Sequence, residues 1–219
     1  MFFDLRETPC YYFLGVFMSS LTELYRELAG CRKCAIARTR TRIVPGEGAE
    51  NAEIMFIGEA PGYHEDQMGR PFVGPAGQFL DKLLASINLK RSQVYIANVI
   101  KCRPPNNREP SSEEIENCRP WLDRQIEIIR PKMIVTLGRY SMARFFPGKT
   151  ISKIHGTAQK INGVIYFAMY HPAAALHQQN LRQTLEEDIL KIPRYLEELK
   201  EVPVENEPEP PSARQLSMF

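Results

Sequence analysis

The chain has 219 residues, enough for one sizeable domain with short extensions, and it is 43% hydrophobic, which supplies a substantial core. Its formal charge is only +2, but residues 197–219 hold six Glu against Lys200 and Arg214, leaving residues 1–196 at +6. No run of about 18 apolar residues occurs, which excludes a membrane-spanning helix, and the locally basic body suits a polyanionic partner as readily as it suits a solvated surface.

Residues 1–18 are aromatic-rich but broken by Asp4, Arg6 and Glu7, with no basic start or small-residue cleavage site, so they do not read as a secretory signal. The expected natural start is Met18, where MSSLTELYRELAGC opens into a helix; a buried N-terminal segment is the competing reading. Ser20 with Glu23 makes a capping box, and Leu21, Leu24 and Leu28 mark one helix face that ends at Gly30. Five basic residues and no acid follow between Arg32 and Arg42. Residues 53–58 read as a buried strand stopping at a Gly/Pro loop, and residues 76–87 have helical spacing through Phe79, Leu80, Leu83 and Leu84. Residues 94–99 form a second strand, after which Lys101, Arg103 and Arg108 make another basic stretch. Ser111 with Glu114 caps a helix running to about Arg130, and residues 133–137 form a strand.

Asn162-Gly163 between apolar runs signals a hairpin within 159–168, and the strand at 165–169 leads into His171-Pro172. A long amphipathic helix through Leu181, Leu185, Ile189, Leu196 and Leu199 is expected, kinked at Pro193. From Val202 the chain turns Pro/Glu-rich and reads as a disordered linker. No internal repeat is present. Alternating strands and helices predict an α/β sandwich around a mostly parallel sheet.

Four cysteines stand out. Cys31 and Cys34 form a C-x2-C pair at a helix end, while Cys102 and Cys118 bracket an Arg/Pro loop and the start of the next helix. A disulfide framework is disfavoured in a cytosolic protein, and structural zinc usually takes two close pairs. Four thiolates from distant segments suit an iron–sulfur cluster; four unrelated buried cysteines are the bland alternative. Cys10 is spare.

The strand ends hold the chemistry. Gly58-Glu59-Ala60-Pro61-Gly62 follows a strand directly, where open α/β sheets bind ligands, yet it matches no triphosphate-binding loop. Asn98 ends the second strand, and its amide offers a donor and an acceptor of the kind a base edge needs. His171 can donate to developing negative charge. Phe72 can stack on a base or enter the core. Each residue alone has an ordinary structural explanation.

Together the pieces resemble the family 4 uracil-DNA glycosylases, the iron–sulfur branch of that superfamily. The resemblance runs over roughly residues 19–200 through Cys31-x2-Cys34, GEAPG at 58–62, GRPFVGPAGQFLDKLL at 69–84, VYIANVIKCRPPNNREP at 94–110, CRPWL at 118–122 and HPAAAL at 171–176. It implies a three-layer α/β/α sandwich and a monofunctional hydrolase that releases uracil from single- or double-stranded DNA in base excision repair. It further implies that Cys31, Cys34, Cys102 and Cys118 ligate a [4Fe–4S] cluster and that Glu59 orients the water and favours charge on the sugar. Phe72 would stack on uracil, with Gly58 and Ala60 beside it, Asn98 would read its polar edge, and His171 would stabilise the anion at O2. Glu65 is the expected wall against the thymine methyl. Arg103 and Arg108 are expected on DNA, with Leu176 as a wedge in the vacated stack.

Two departures are present. Other branches carry a catalytic Asp where this chain has Ala60, and a branch that traps the abasic site has a Lys/Arg-rich insert with His, absent between Arg103 and Pro120. Turnover is therefore expected. Gln215, Leu216, Ser217, Met218 and Phe219 resemble the short peptide by which bacterial repair proteins bind the sliding clamp. The resulting expectation is a cytoplasmic, nucleoid-associated monomer with an extension (1–18), a glycosylase domain (19–200) and a tail (201–219). A redox carrier and a silent DNA-binding module are the competing readings.

Overall fold

The computed structural model describes residues 20–200; the extension at 1–18 and the tail with its QLSMF end lie outside them. Six strands form one sheet: β1 (Glu47–Gly48), β2 (Ile54–Gly58), β3 (Tyr95–Asn98), β4 (Met133–Leu137), β5 (Ala158–Ile161) and β6 (Val164–Met169). They lie in the order β1-β3-β2-β4-β6-β5, with the four central strands parallel and a short antiparallel strand at each edge. The expected mostly parallel sheet is present, and the hairpin turns at Asn162-Gly163, both at positive φ.

Central strands are apolar throughout because both sheet faces are covered. Ile54, Phe56, Val135 and Phe167 join one core with Phe79, Leu80, Leu83 and Leu84 of α3 (Pro75–Ser86) and Leu185 and Ile189 of α7 (Gln179–Ile189). Met55, Ile57, Tyr95 and Ile134 face the other way, against Leu24 and Leu28 of α1 (Leu21–Ala29) and Leu122 and Ile129 of α4 (Ser112–Ile129). Period-two alternation along each strand thus builds two cores and three layers. Both expected capping boxes form: Ser20 Oγ accepts from Glu23 N at 3.2 Å and Ser111 Oγ from Glu114 N at 3.2 Å.

Three short helices escaped the sequence reading: α2 (Tyr63–Met68), α5 (Arg139–Phe145) and α6 (Ile151–Ile154). Each is under two full turns or nearly so, too brief for periodicity to register. The expected kinked C-terminal helix is instead two helices, α7 and α8 (Ile192–Lys200), broken at Leu190-Lys191. Pro193 stands in the first turn of α8, where its missing N–H needs no partner. The break is tied by Asp188, buried, whose carboxylate holds Lys191 Nζ at 2.7 Å and His155 Nδ1 at 2.8 Å.

Lys101 departs most from its sequence reading. It is not part of a basic surface but fully buried, its ammonium donating to Asn98 O at 2.8 Å and Gln125 Oε1 at 2.6 Å. Gln125 in turn donates to Pro45 O at 2.7 Å and Tyr95 Oη at 2.9 Å. No helix among the described residues is long and apolar enough to cross a membrane.

A buried ammonium deprived of an acceptor keeps its full desolvation penalty. Gln125→Leu should therefore lower the unfolding free energy by roughly 2–3 kcal/mol in urea melts; an unchanged midpoint would show that Lys101 does not depend on this partner.

Candidate active site

Parallel register places the chemistry. Gly58 of β2 pairs with Asn98 of β3, so Glu59 and Asn98 emerge side by side at the carboxyl edge of the sheet. The chain leaves β2 toward β3 and then returns past it to β4, so this edge is the topological switch point where open sheets bind ligands. His171 follows β6 at the same edge. A cavity of about 380 Å³ opens there, lined by Glu59, Glu65, Phe72, Asn98, Arg108 and His171 among others. The structure thus gathers Glu59, Ala60, Glu65, Phe72, Asn98 and His171 from four separate segments. Gly58 lies directly beneath: a Cβ there would come within 2.6 Å of the Phe72 ring and closer still to Asn98 Oδ1.

Asn98 is buried, and its Oδ1 has no partner among the described residues. A buried amide oxygen without a donor is costly, and at a cavity wall it is a waiting acceptor. The His171 ring stacks against Phe72 with centroids 5.5 Å apart and planes 25° from parallel. Its Nδ1 accepts from Ala173 N at 3.1 Å, which leaves the proton on Nε2. Burial pushes its pKa down to about 4, opposed by the Glu65 charge, so at neutral pH the ring is a neutral Nε2–H donor. Glu59 moves the other way: burial first, then the Glu109 carboxylate, raises its carboxyl, with Arg139 opposing. Glu109 is itself held by Tyr140 Oη at 2.6 Å and by Arg139.

Glu65 reaches the cavity, but its carboxylate is occupied by the loop. It accepts from Gly62 N at 3.1 Å, Val73 N at 2.9 Å and Gly74 N at 2.8 Å. Arg108 lines the mouth with its guanidinium forked onto Glu114 at 2.8 and 2.6 Å, and that partner pulls Glu114 down to about 2. Arg103 lies 5.1 Å from the Tyr63 ring and donates to Asn107 Oδ1 at 2.6 Å, while Leu176 is exposed on the turn after His171. Asn107 and Ala173 also line the cavity and escaped the sequence reading. The available signal for Asn107 was the Asn-Asn pair after Pro-Pro, since asparagine tolerates the left-handed φ of 54° and 55° seen there.

Cys31, Cys34, Cys102 and Cys118 are free thiols belonging to or packed against one apolar cluster that also holds Trp121, whose buried Nε1 has no acceptor among the described residues. Arg40 bridges the first and second pairs, donating to Cys31 O at 2.8 Å and Cys102 Sγ at 3.3 Å, and Lys101 N donates to Cys118 Sγ at 3.3 Å. Burial raises Cys102 and pushes Cys118 up to about 11. Among the described residues no three His, Cys, Asp or Glu are arranged for a single metal ion. Four soft donors with N–H groups aimed at sulfur fit a polynuclear cluster, whose ligands attach to different irons and stand farther apart.

The model of the uracil DNA glycosylase superfamily matches residues 45–193, and the chain belongs to that superfamily. It is 51% identical to the type-4 uracil-DNA glycosylase of Sulfurisphaera tokodaii, over 80% of this chain and 84% of that one. The type-4 enzymes of Archaeoglobus fulgidus and Saccharolobus solfataricus are 49% and 46% identical, over 80% and 82% of this chain and 92% and 88% of theirs. Within the superfamily the chain is of the type-4 group.

The lowered histidine pKa has a thermodynamic consequence. The unfolded chain binds a proton on His171 near the ordinary 6.5 and the folded chain only near 4, so stability present above 6.5 is lost as pH falls between them. From about pH 7 to about pH 5 the parent should lose roughly 2 kcal/mol that His171→Gln does not, read as the difference in their urea midpoints.

Proposed function

We propose that the protein hydrolyses the N-glycosidic bond of deoxyuridine in DNA, releasing uracil and leaving an abasic site. The observation that supports this most directly is the pairing, in one cavity, of the buried Asn98 Oδ1, which has no donor among the described residues, with a neutral His171 donor beside an aromatic face. Duplex DNA hides the glycosidic carbon, so the base is extruded into the cavity, at a cost of a few kcal/mol that is least for mispaired or single-stranded uracil. Phe72 stacks on its face. Asn98 Oδ1 accepts from N3–H while its Nδ2 donates to O4.

As the C1′–N1 bond breaks, its electron pair passes into the base and negative charge collects at O2, where His171 Nε2–H donates. Because the ring is neutral, this is hydrogen-bond stabilisation and not full proton transfer. Glu59 favours positive charge on the sugar and orients the water whose oxygen joins C1′; the water's proton goes to the departing base or solvent. With Ala60 where other branches have Asp, leaving-group stabilisation carries more of the barrier. Thymine is excluded by the wall that Glu65 holds in place, its extra methyl having no room. Arg103 and Arg108 meet phosphates at the mouth, Arg108 while still braced by Glu114, and Leu176 enters the vacated stack.

Cys31, Cys34, Cys102 and Cys118 would hold a [4Fe–4S] cluster, which would brace the loop carrying Arg103 and Arg108, since base hydrolysis transfers no electron. Residues 215–219 bind the sliding clamp, and the protein works as a cytoplasmic monomer at the nucleoid.

Free uracil should be released from an oligonucleotide bearing U, single-stranded or opposite G, and not from its T control. His171→Ala or Asn98→Ala should slow release about 100-fold or more. No release from iron-loaded protein would leave a DNA-binding or redox role. The parent should contain iron and acid-labile sulfide in equal amounts with visible absorption, and Cys118→Ser should lose both; a colourless, iron-free parent from anaerobic preparation would contradict the cluster.

A further inference from the structure

Phe72 has a backbone φ of +52°, the left-handed region that a bulky side chain rarely adopts, and its ring is nevertheless buried. Such strain persists only where the surroundings over-determine it. Here two charged side chains hold the chain on either side of the strained residue. Glu65 Oε1 gathers the N–H groups of Val73 and Gly74 on the following side. On the preceding side the Arg91 guanidinium donates through Nη2 to Pro71 O at 2.6 Å and through Nη1 to Phe72 O at 3.0 Å.

Arg91 is itself anchored. Its Nη1 lies 3.1 Å from Asp81 Oδ1 and its Nη2 4.0 Å from Glu47 Oε2, and Glu47 is locked by Arg70 at 2.7 and 2.8 Å. Gly77 completes the seat, since a Cβ there would collide with the Phe72 carbonyl. Arg91 does not line the cavity, so it does not touch a base bound there. We infer that Arg91 is a positioning residue for base recognition: its fork on two successive carbonyls fixes the left-handed turn at Phe72 and thereby the plane of the ring facing the extruded uracil. The inference rests on Phe72 being the stacking ring.

The chemistry is specific to arginine. A planar fork of parallel donors can satisfy two carbonyls at once, whereas a lysine ammonium keeps the charge but is a point donor on a flexible stem. Without the fork the Pro71–Phe72 peptide is free to relax toward ordinary φ. The ring then turns into the slot it shares with His171, and the cavity loses its flat wall.

The test is a double-mutant cycle on the full chain, comparing the parent with Arg91→Met, Arg91→Lys, Phe72→Leu and Arg91→Met/Phe72→Leu. Single-turnover uracil release, inhibition by free uracil and thermal melting would be measured for each. Arg91→Met should slow release by about tenfold or more, the range of a charge-assisted hydrogen bond, and weaken uracil inhibition in parallel. Arg91→Lys should recover only part of that loss, with a melting temperature near the parent's. In the Phe72→Leu background the Arg91→Met effect should largely vanish, because the ring through which it acts is gone. An equal factor in both backgrounds, or Arg91→Lys at the parental rate with parental inhibition, would overturn the inference while leaving Phe72 as the stacking ring. Phe72→Leu at the parental rate would instead overturn the stacking reading itself. Should Arg91→Met fail to fold, the same cycle stands with Arg91→Lys.

Discussion

Parallel pairing of β2 with β3, which sets Gly58 opposite Asn98, is the constraint on which the site depends. It makes both strands end at the same level, so a carboxylate and an amide leave the sheet together over a single gap. The gap exists because position 58 has no Cβ; the Asn98 amide and the Phe72 ring occupy the space one would take. His171 is added from β6 two strands away, and Gly138 lets it approach, since a Cβ there would lie 3.0 Å from that of His171. Ring, amide and imidazole therefore share one cavity through backbone geometry before any side-chain interaction is counted.

Much of the charge near the site is internal framework. Arg40, Lys101, Arg91 and Glu65 each bind backbone or buried polar atoms of a loop bordering the cavity or the cysteines. Loops at strand ends cannot be held by ladder hydrogen bonds, and their carbonyl and N–H groups need partners when buried. Long charged side chains supply several strong donors or acceptors from a distance, and charge-assisted hydrogen bonds are about twice as strong as neutral ones. Lys101 joins the two functional regions, bonding through Nζ to Asn98 O and through its backbone N to Cys118 Sγ. A disturbance at the cysteines thus has a short covalent and hydrogen-bonded route to the backbone of Asn98 at the cavity.

Opposite shifts on Glu59 and His171 follow from the same cause. Burial disfavours whichever form is charged, raising a carboxyl and lowering an imidazole. A neutral histidine can donate a hydrogen bond without bringing in a positive charge that burial would penalise. Glu109 and Arg139, joined by Tyr140, act on Glu59 in opposite directions from outside the cavity.

Local signals determined a good deal. The capping boxes at Ser20 and Ser111, the continuous apolar strands and the Asn-Gly hairpin were legible because each depends on neighbours within a few residues. The set Glu59, Phe72, Asn98 and His171 was legible through motifs joined by resemblance, although no one of them was distinctive alone. The break at Leu190-Lys191 was not legible, since both helices keep the same amphipathic spacing and the terminating contacts come from Asp188 and His155. Nor were the roles of the basic residues. Composition placed Lys101 in a basic stretch and had no reason to single out Arg91, because whether a cation faces water or a buried carbonyl depends on which distant segment packs against it. Sequence periodicity reports the faces of an element; the partners that meet those faces, and the strained turn at Phe72 that they hold, are settled only when the layers close.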